Sequence, residues 1–122
     1  MLDKRKILII DDEADLCLLL NNYFLRRNHS VIISNNLTEG LSSLKTFLPD
    51  VVFLDNNLPD GTGWSYAEQI ANELPNIHIV FISAFDQPIP EMPENSSYSY
   101  IEKPISFADL NSLISSSKLQ SV

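Results

Sequence analysis

Ile7-Leu8-Ile9-Ile10-Asp11-Asp12 sets the architecture of this chain, because four apolar residues end abruptly on two aspartates. A short continuous apolar run of this kind predicts a β-strand that is buried on both faces of a parallel sheet. Three further runs repeat the pattern: residues 51–54 before Asp55, residues 79–82 before Ser83, and residues 98–101 before Glu102-Lys103-Pro104. In open α/β sheets the ligand crevice lies beyond the carboxyl ends of the strands, so we expect these polar ends to form one site.

Helical patterns separate the strands. Residues 13–27, 37–48 and 64–74 carry apolar side chains at helical spacing, and a last helix starts at Ser106, which has capping-box spacing to Asp109. With a further strand at residues 31–34, five strands alternate with helices. This alternation predicts an α/β fold with a doubly wound parallel sheet and right-handed crossovers. Trp64 and Phe107 are expected in its core.

The segment from residue 86 to residue 97 breaks the alternation. Pro88, Pro90 and Pro93 fall where a fourth helix belongs, and each removes a backbone donor and obstructs helix propagation. We expect a loop here, or at most a turn or two of helix after Pro93, so that the fourth helix is short or irregular.

The composition narrows the class of protein. A chain of 122 residues suits a single domain over residues 1–122. The apolar runs are far shorter than a membrane span, and the charged start lacks a signal-peptide pattern, so we expect a cytoplasmic protein without membrane contact. Eight basic against sixteen acidic residues leave a net charge of −8, and binding of nucleic acid by this chain is not expected. Cys17, the single cysteine, is expected to be a small buried side chain.

The strand ends carry a coherent set of chemical groups. Asp11, Asp12 and Asp55 would bring three carboxylates together, which is costly without a cation. Mg²⁺ suits such a site, because it binds through one or two carboxylates and completes its shell with water and phosphate oxygens. Lys103 could pair with a carboxylate or a phosphoryl oxygen, and Ser83 adds a hydroxyl. Phosphoryl transfer depends mainly on positioning and charge neutralisation, and an aspartate can be the covalent acceptor.

These residues resemble a known family. Asp11-Asp12, Asp55 followed by Leu58-Pro59-Asp60-Gly61 and Gly63, Ser83-Ala84, and Tyr100 with Lys103-Pro104 occur in the order found in receiver domains of two-component response regulators. The resemblance covers essentially the whole chain. It implies a flavodoxin-like sheet of strand order 2-1-3-4-5 with helices on both faces.

The resemblance also implies a mechanism and partners. Asp55 would accept a phosphoryl group from the phosphohistidine of a sensor histidine kinase or a histidine phosphotransfer protein. Mg²⁺ would be held by Asp12, Asp55 and the backbone carbonyl of Asn57, with Asp11 acting mostly through a metal-bound water. The domain would act as a switch that controls a downstream protein or an attached effector domain, and not as a turnover enzyme.

The remaining expected roles concern the switch. Lys103 would grip the phosphoryl group, Ser83 would move to hydrogen-bond it, and Tyr100 would turn inward behind Ser83. The Lys103–Pro104 bond is expected to be cis, which an X-Pro peptide permits at modest cost. The proline-broken segment departs from the family pattern and puts the usual output surface in doubt.

Three other interpretations stay open at this stage. Asp11 and Asp12 could only cap the first helix. A phosphatase of the haloacid dehalogenase type also uses an aspartate after an apolar strand, but it needs a second aspartate where this chain has Asn57, and a longer chain. A receiver that works by protein binding alone would be expected to have lost site residues, and none is lost.

Overall fold

The computed structural model describes residues 4–116, with Ser116 by its backbone alone. Five parallel strands form the central sheet: β1 Lys6–Ile10, β2 Ser30–Ser34, β3 Val51–Asp55, β6 His78–Ser83 and β7 Ser97–Glu102. A two-residue hairpin, β4 Asn57–Leu58 with β5 Gly61–Thr62, follows β3. The sheet order is β2-β1-β3-β6-β7. This is the predicted order 2-1-3-4-5 once the hairpin is set aside, and the doubly wound α/β fold is confirmed.

The two faces of the sheet carry two separate apolar layers. Side chains alternate across a strand, so neighbouring residues of β1 point to opposite faces. Ile7 and Ile9 pack with helices α1 Ala14–Leu25 and α4 Phe107–Ser116, whereas Leu8 and Ile10 pack with α2 Leu37–Phe47 and α3 Ala67–Glu73. Burial on both faces therefore explains the continuous apolar runs of β1, β3 and β6. The prediction of such burial was wrong for residues 98–101, because β7 is an edge strand and Tyr98 is exposed.

The helices begin and end close to the predicted residues, with the exception of the third. The third predicted helix divides into a 3₁₀ turn, Gly63–Tyr66, and the shorter helix α3. Trp64 is buried as predicted. The prediction for Phe107 was wrong, because this residue is 45% exposed. Its ring packs against the ring of Tyr23, with 5.5 Å between centroids. Phe107 is the first residue of α4.

No helix lies between β6 and β7, which are both fully described. Residues 84–96 run as bends, turns and irregular backbone, so the proline-based prediction of a loop is confirmed. None of the described helices is long and apolar enough to cross a bilayer.

Asp60 links the loop after β3 to the start of α2. Its carboxylate accepts hydrogen bonds from the backbone N–H groups of Leu37 and Thr38, at 2.7 and 2.9 Å, and from the Thr38 hydroxyl at 2.7 Å. Asn36 caps the same helix through its side chain, which accepts from Glu39 N at 2.8 Å. The Asp60 side chain therefore stabilises the start of a helix that is distant in sequence.

Replacing Asp60 with Asn is expected to lower stability at neutral pH by an amount that shrinks in acid. Hydrogen bonds from Thr38 and Leu37 lower the pKa of Asp60 to about 2 from 3.8. A carboxyl whose pKa falls on folding stabilises the protein above its unfolded pKa and loses that contribution as the pH falls toward its folded pKa. Urea unfolding of the wild type and the variant at pH values from 6 to about 2.5 measures this difference. Glu68→Gln, an exposed change on α3, is the control, and a difference that does not depend on pH would contradict the assignment.

Candidate functional site

The register of the strands brings the predicted site residues to one edge of the sheet. Ile10 pairs with Leu54 and Asp55 pairs with Ile82, so Asp11, Asp55 and Ser83 follow one another across three neighbouring strands. Lys103 comes next, because its backbone N–H donates to the Ser83 carbonyl at 2.8 Å. Residues that are far apart in sequence are adjacent here, as the strand ends predicted.

Three carboxylates meet at this edge. One oxygen each from Asp11, Asp12 and Asp55 lies within 4.8 Å of the others. Asp11 and Asp55 are buried, whereas Asp12 is exposed. Burial, and then the charge of Asp11, raise the pKa of Asp55 to about 6, against the opposing effect of Lys103. Burial likewise raises the pKa of Asp11. This donor set of clustered hard oxygens fits a divalent cation of the Mg²⁺ type.

Lys103 neutralises part of this charge. Its Nζ lies 3.1 Å from Asp11 Oδ2, 3.0 Å from Glu13 Oε1 and 3.6 Å from Asp55 Oδ2. Burial lowers the Lys103 pKa, but the surrounding carboxylates outweigh burial and hold the pKa above its usual value. The ammonium group is therefore charged and directed at the site. The Lys103–Pro104 peptide bond is cis.

Asp11 also holds the backbone just before α1, although α1 has no side-chain cap and the helix-cap interpretation is therefore not supported. Its Oδ1 accepts a hydrogen bond from Glu13 N at 2.8 Å, just before α1 begins. The other carboxylate oxygen, Oδ2, is the one that faces Lys103. The two oxygens of Asp11 therefore serve the turn before α1 and the charged cluster, respectively.

Ser83 and Tyr100 meet at a single carbonyl group. The Ser83 hydroxyl donates to Phe85 O at 2.5 Å, and the Tyr100 hydroxyl approaches the same oxygen at 3.4 Å, a long and weak contact. The Tyr100 ring packs against Trp64, with 6.1 Å between centroids. A displacement of Ser83 would therefore change the environment of the Tyr100 hydroxyl and, through the ring of Tyr100, that of Trp64.

The loop after Asp55 is held close to the strand. A side chain at Gly63 would place its Cβ 2.1 Å from the Asp55 carbonyl oxygen, which only glycine avoids. Asn56 accepts from Trp64 N at 3.2 Å, and the Trp64 indole donates to Leu54 O at 3.0 Å. Asn57 is exposed in β4, two residues beyond the phosphoacceptor candidate. These contacts fix the backbone on which Asp55 and Asn57 stand.

Comparison with known proteins identifies the family. The model of the response regulator receiver domain matches residues 7–115. The chain belongs to this family. The receiver is 35% identical to the transcriptional regulatory protein YxdJ of Bacillus subtilis over 104 residues, which is 84% of this chain and 45% of that protein. It is 31% identical to BtsR of Escherichia coli K12 over 107 residues, 86% of this chain and 44% of that protein.

Solved structures agree on the fold. A CheY-like receiver of Methanospirillum hungatei superposes with a TM-score of 0.81 at 22% identity, over 98% of this chain and 96% of that one. A CheY-like receiver of Methylobacillus flagellatus gives a TM-score of 0.77 at 25% identity, over 93% and 98% of the two chains. The receiver spans less than half the length of the curated relatives named above.

Sequence reasoning missed three side chains that complete the site of this receiver. Glu13 binds Lys103, and its position directly after the aspartate pair could have indicated this. Asn56 orients the loop after Asp55, and adjacency to that residue was the available signal. Gln87 donates to Ser83 from the proline-broken segment, and nothing in the sequence pattern pointed to it.

Proposed function

We propose that this receiver accepts a phosphoryl group on Asp55 and changes conformation in response. The observation that carries the proposal is the cluster of the Asp11, Asp12 and Asp55 carboxylates, in which Asp11 and Asp55 lie beside the ammonium group of Lys103. A buried carboxylate beside a fixed cation is a suitable acceptor, since phosphoryl transfer requires an aligned nucleophile and neutralisation of the equatorial oxygens.

The donor is a phosphohistidine of a sensor kinase or a histidine phosphotransfer protein. A carboxylate oxygen of Asp55 forms the new bond to phosphorus as the bond from phosphorus to the imidazole nitrogen breaks, and the electron pair of that bond stays with the imidazole, which takes up a proton. The nucleophile must be ionised, so a pKa of about 6 leaves Asp55 reactive at neutral pH. Hydrolysis later returns the free carboxylate.

Asp12, Asp55 and the backbone carbonyl of Asn57 would hold Mg²⁺, with Asp11 acting through a bound water. When bound, the ion supplies charge neutralisation for the phosphoryl oxygens. Lys103 contributes a second positive charge and contacts the phosphoryl group. Glu13 keeps Lys103 at the mouth of the site, because the two side chains are 3.0 Å apart.

The switch is read out through Ser83 and Tyr100. A phosphoryl group adds negative charge and strong hydrogen-bond acceptors, so it favours an arrangement in which Ser83 donates to it. Ser83 then leaves Phe85 O, the oxygen that Tyr100 also approaches. The output partner is a downstream protein or an effector domain; both relatives named above are transcriptional regulators.

Incubation with Mg²⁺ and acetyl phosphate, followed by intact mass spectrometry, tests the proposal. The expected result is the gain of one phosphoryl group in Mg²⁺ and no gain in EDTA. Without the cation, the clustered carboxylates repel the negatively charged phosphodonor. Absence of labelling in Mg²⁺, or labelling that does not depend on the metal, would contradict the proposal. A protein that fails to label yet binds Mg²⁺ would favour a module that acts by binding alone.

A further inference from the structure

The loop that replaces the fourth helix reaches the site through one side chain, Gln87. Its Nε2 donates to Ser83 Oγ at 2.6 Å, and its Oε1 accepts from Asn56 Nδ2 at 3.3 Å. Asn56 directly follows Asp55, and Ser83 ends the neighbouring strand β6. Gln87 therefore joins the residues that border Asp55 on two sides.

The hydrogen-bonding capacity of the Ser83 hydroxyl is fully used in this arrangement. A hydroxyl has one proton and two acceptor lone pairs. Ser83 donates to Phe85 O at 2.5 Å, and it accepts from Phe85 N at 3.2 Å and from Gln87 Nε2 at 2.6 Å. Ser83 can donate to a phosphoryl oxygen only if it gives up the bond to Phe85 O, and a shift of its oxygen also breaks the bond from Gln87.

We propose that Gln87 is a positioning residue that holds Ser83 in the unphosphorylated arrangement and opposes the switch. The proposal rests on the proposed function, since it concerns how Ser83 responds to a group on Asp55. The bond from Gln87 stabilises only the unphosphorylated state, so it reduces the affinity of the site for a phosphoryl group. Its loss on phosphorylation also leaves Gln87 with the Asn56 bond as its remaining side-chain hydrogen bond to the residues beside Asp55.

This role differs from that of a side chain that merely fastens a loop. A structural fastener would affect stability whether or not Ser83 carries a hydroxyl. A positioning residue acts through Ser83, so its effect on binding of a phosphoryl mimic must disappear when the hydroxyl is removed. The two roles therefore predict different results in a double-mutant cycle.

The experiment measures the affinity for beryllium fluoride, a phosphoryl mimic, in Mg²⁺ with the full chain. Trp64 fluorescence is the signal, because this tryptophan is the only one in the sequence and its ring packs against Tyr100. Gln87→Met keeps the length of the side chain and removes the amide. We expect Gln87→Met to bind the mimic about 2- to 10-fold more tightly than the wild type, the range that one neutral hydrogen bond represents.

Two further measurements complete the test. Gln69→Met, on an exposed position of α3, is the matched control and is expected to bind like the wild type. In a Ser83→Ala background, Gln87→Met is expected to change the affinity less than about twofold, because the partner of the amide is gone. Circular dichroism confirms that each variant is folded.

Each other outcome overturns the proposal in a distinguishable way. Unchanged affinity of Gln87→Met would show that the bond does not oppose the switch, and weaker binding would show that Gln87 contacts the mimic itself. Tighter binding in both backgrounds would show an effect that does not act through Ser83. A wild type that neither binds the mimic nor labels with acetyl phosphate would overturn the proposed function and this proposal with it, whereas a labelled wild type with an unaffected Gln87→Met overturns this proposal alone.

Discussion

Asp55→Asn is expected to abolish Mg²⁺-dependent phosphoryl uptake completely and to leave the fold intact. The amide has nearly the shape of the carboxylate, but it is not a nucleophile and cannot form the acyl phosphate. Asp55 sits at the end of β3 in a backbone fixed by Gly63 and Trp64, so the position tolerates an isosteric change. Intact mass after incubation with acetyl phosphate measures the loss.

The same variant is expected to be more stable than the wild type in EDTA. Burial and the charge of Asp11 raise the pKa of Asp55 to about 6, which means that its charge opposes folding at neutral pH. Replacing the carboxylate with a neutral amide should increase the free energy of unfolding, on the order of 1 to 3 kcal/mol. Asp50→Asn is the matched control, because Asp50 lies before β3 at the opposite end of the strand, where it accepts a hydrogen bond from Lys6 N. In the uptake experiment, stoichiometric phosphoryl labelling of Asp55→Asn would contradict the assignment of Asp55 as the acceptor.

Lys103→Ala is expected to reduce the rate of phosphoryl uptake about 100-fold, the typical effect of removing a group that stabilises charge in a transition state. The variant leaves Asp11, Glu13 and Asp55 without the ammonium group that lies 3.0 to 3.6 Å from their oxygens. It should also lose the change in Trp64 fluorescence on phosphorylation, because no cation then holds the phosphoryl group in place.

Time-resolved intact mass and Trp64 fluorescence measure the two effects of Lys103→Ala. The control is Lys45→Ala, since Lys45 is an exposed residue in the last turn of α2. A variant that labels and responds like the wild type would show that Lys103 is an ordinary surface lysine and that its ion pairs do not serve the reaction.

Most of the fold could be predicted from the sequence because the patterns that determine the strands and loops are local. Each buried strand was an uninterrupted apolar run, and the prolines at positions 88, 90 and 93 excluded a helix through their own backbone chemistry. The acidic edge could also be anticipated, since parallel strands place their carboxyl ends together. Asp11, Asp55, Ser83 and Lys103 therefore met where the pattern indicated.

The features that escaped prediction depend on how distant segments pack. Whether Phe107 is buried depends on the orientation of α4 against α1, which its helical spacing does not specify. The bond between Gln87 and Ser83 depends on the path of an irregular loop, for which no periodicity exists. The contact of Asp60 with the start of α2 joins residues that are more than twenty positions apart, and no local pattern indicates it. Such contacts appear only once the chain is folded.

The measurement that tests the central claim most directly is the position of the phosphoryl group. The wild type is labelled with acetyl phosphate in Mg²⁺, and the acyl phosphate is reduced with borohydride, which converts the labelled aspartate to homoserine. Peptide mass spectrometry then locates the homoserine. We predict it at position 55 and at neither position 11 nor position 12. Homoserine at another aspartate, or a phosphoryl group that borohydride does not remove, would contradict the account.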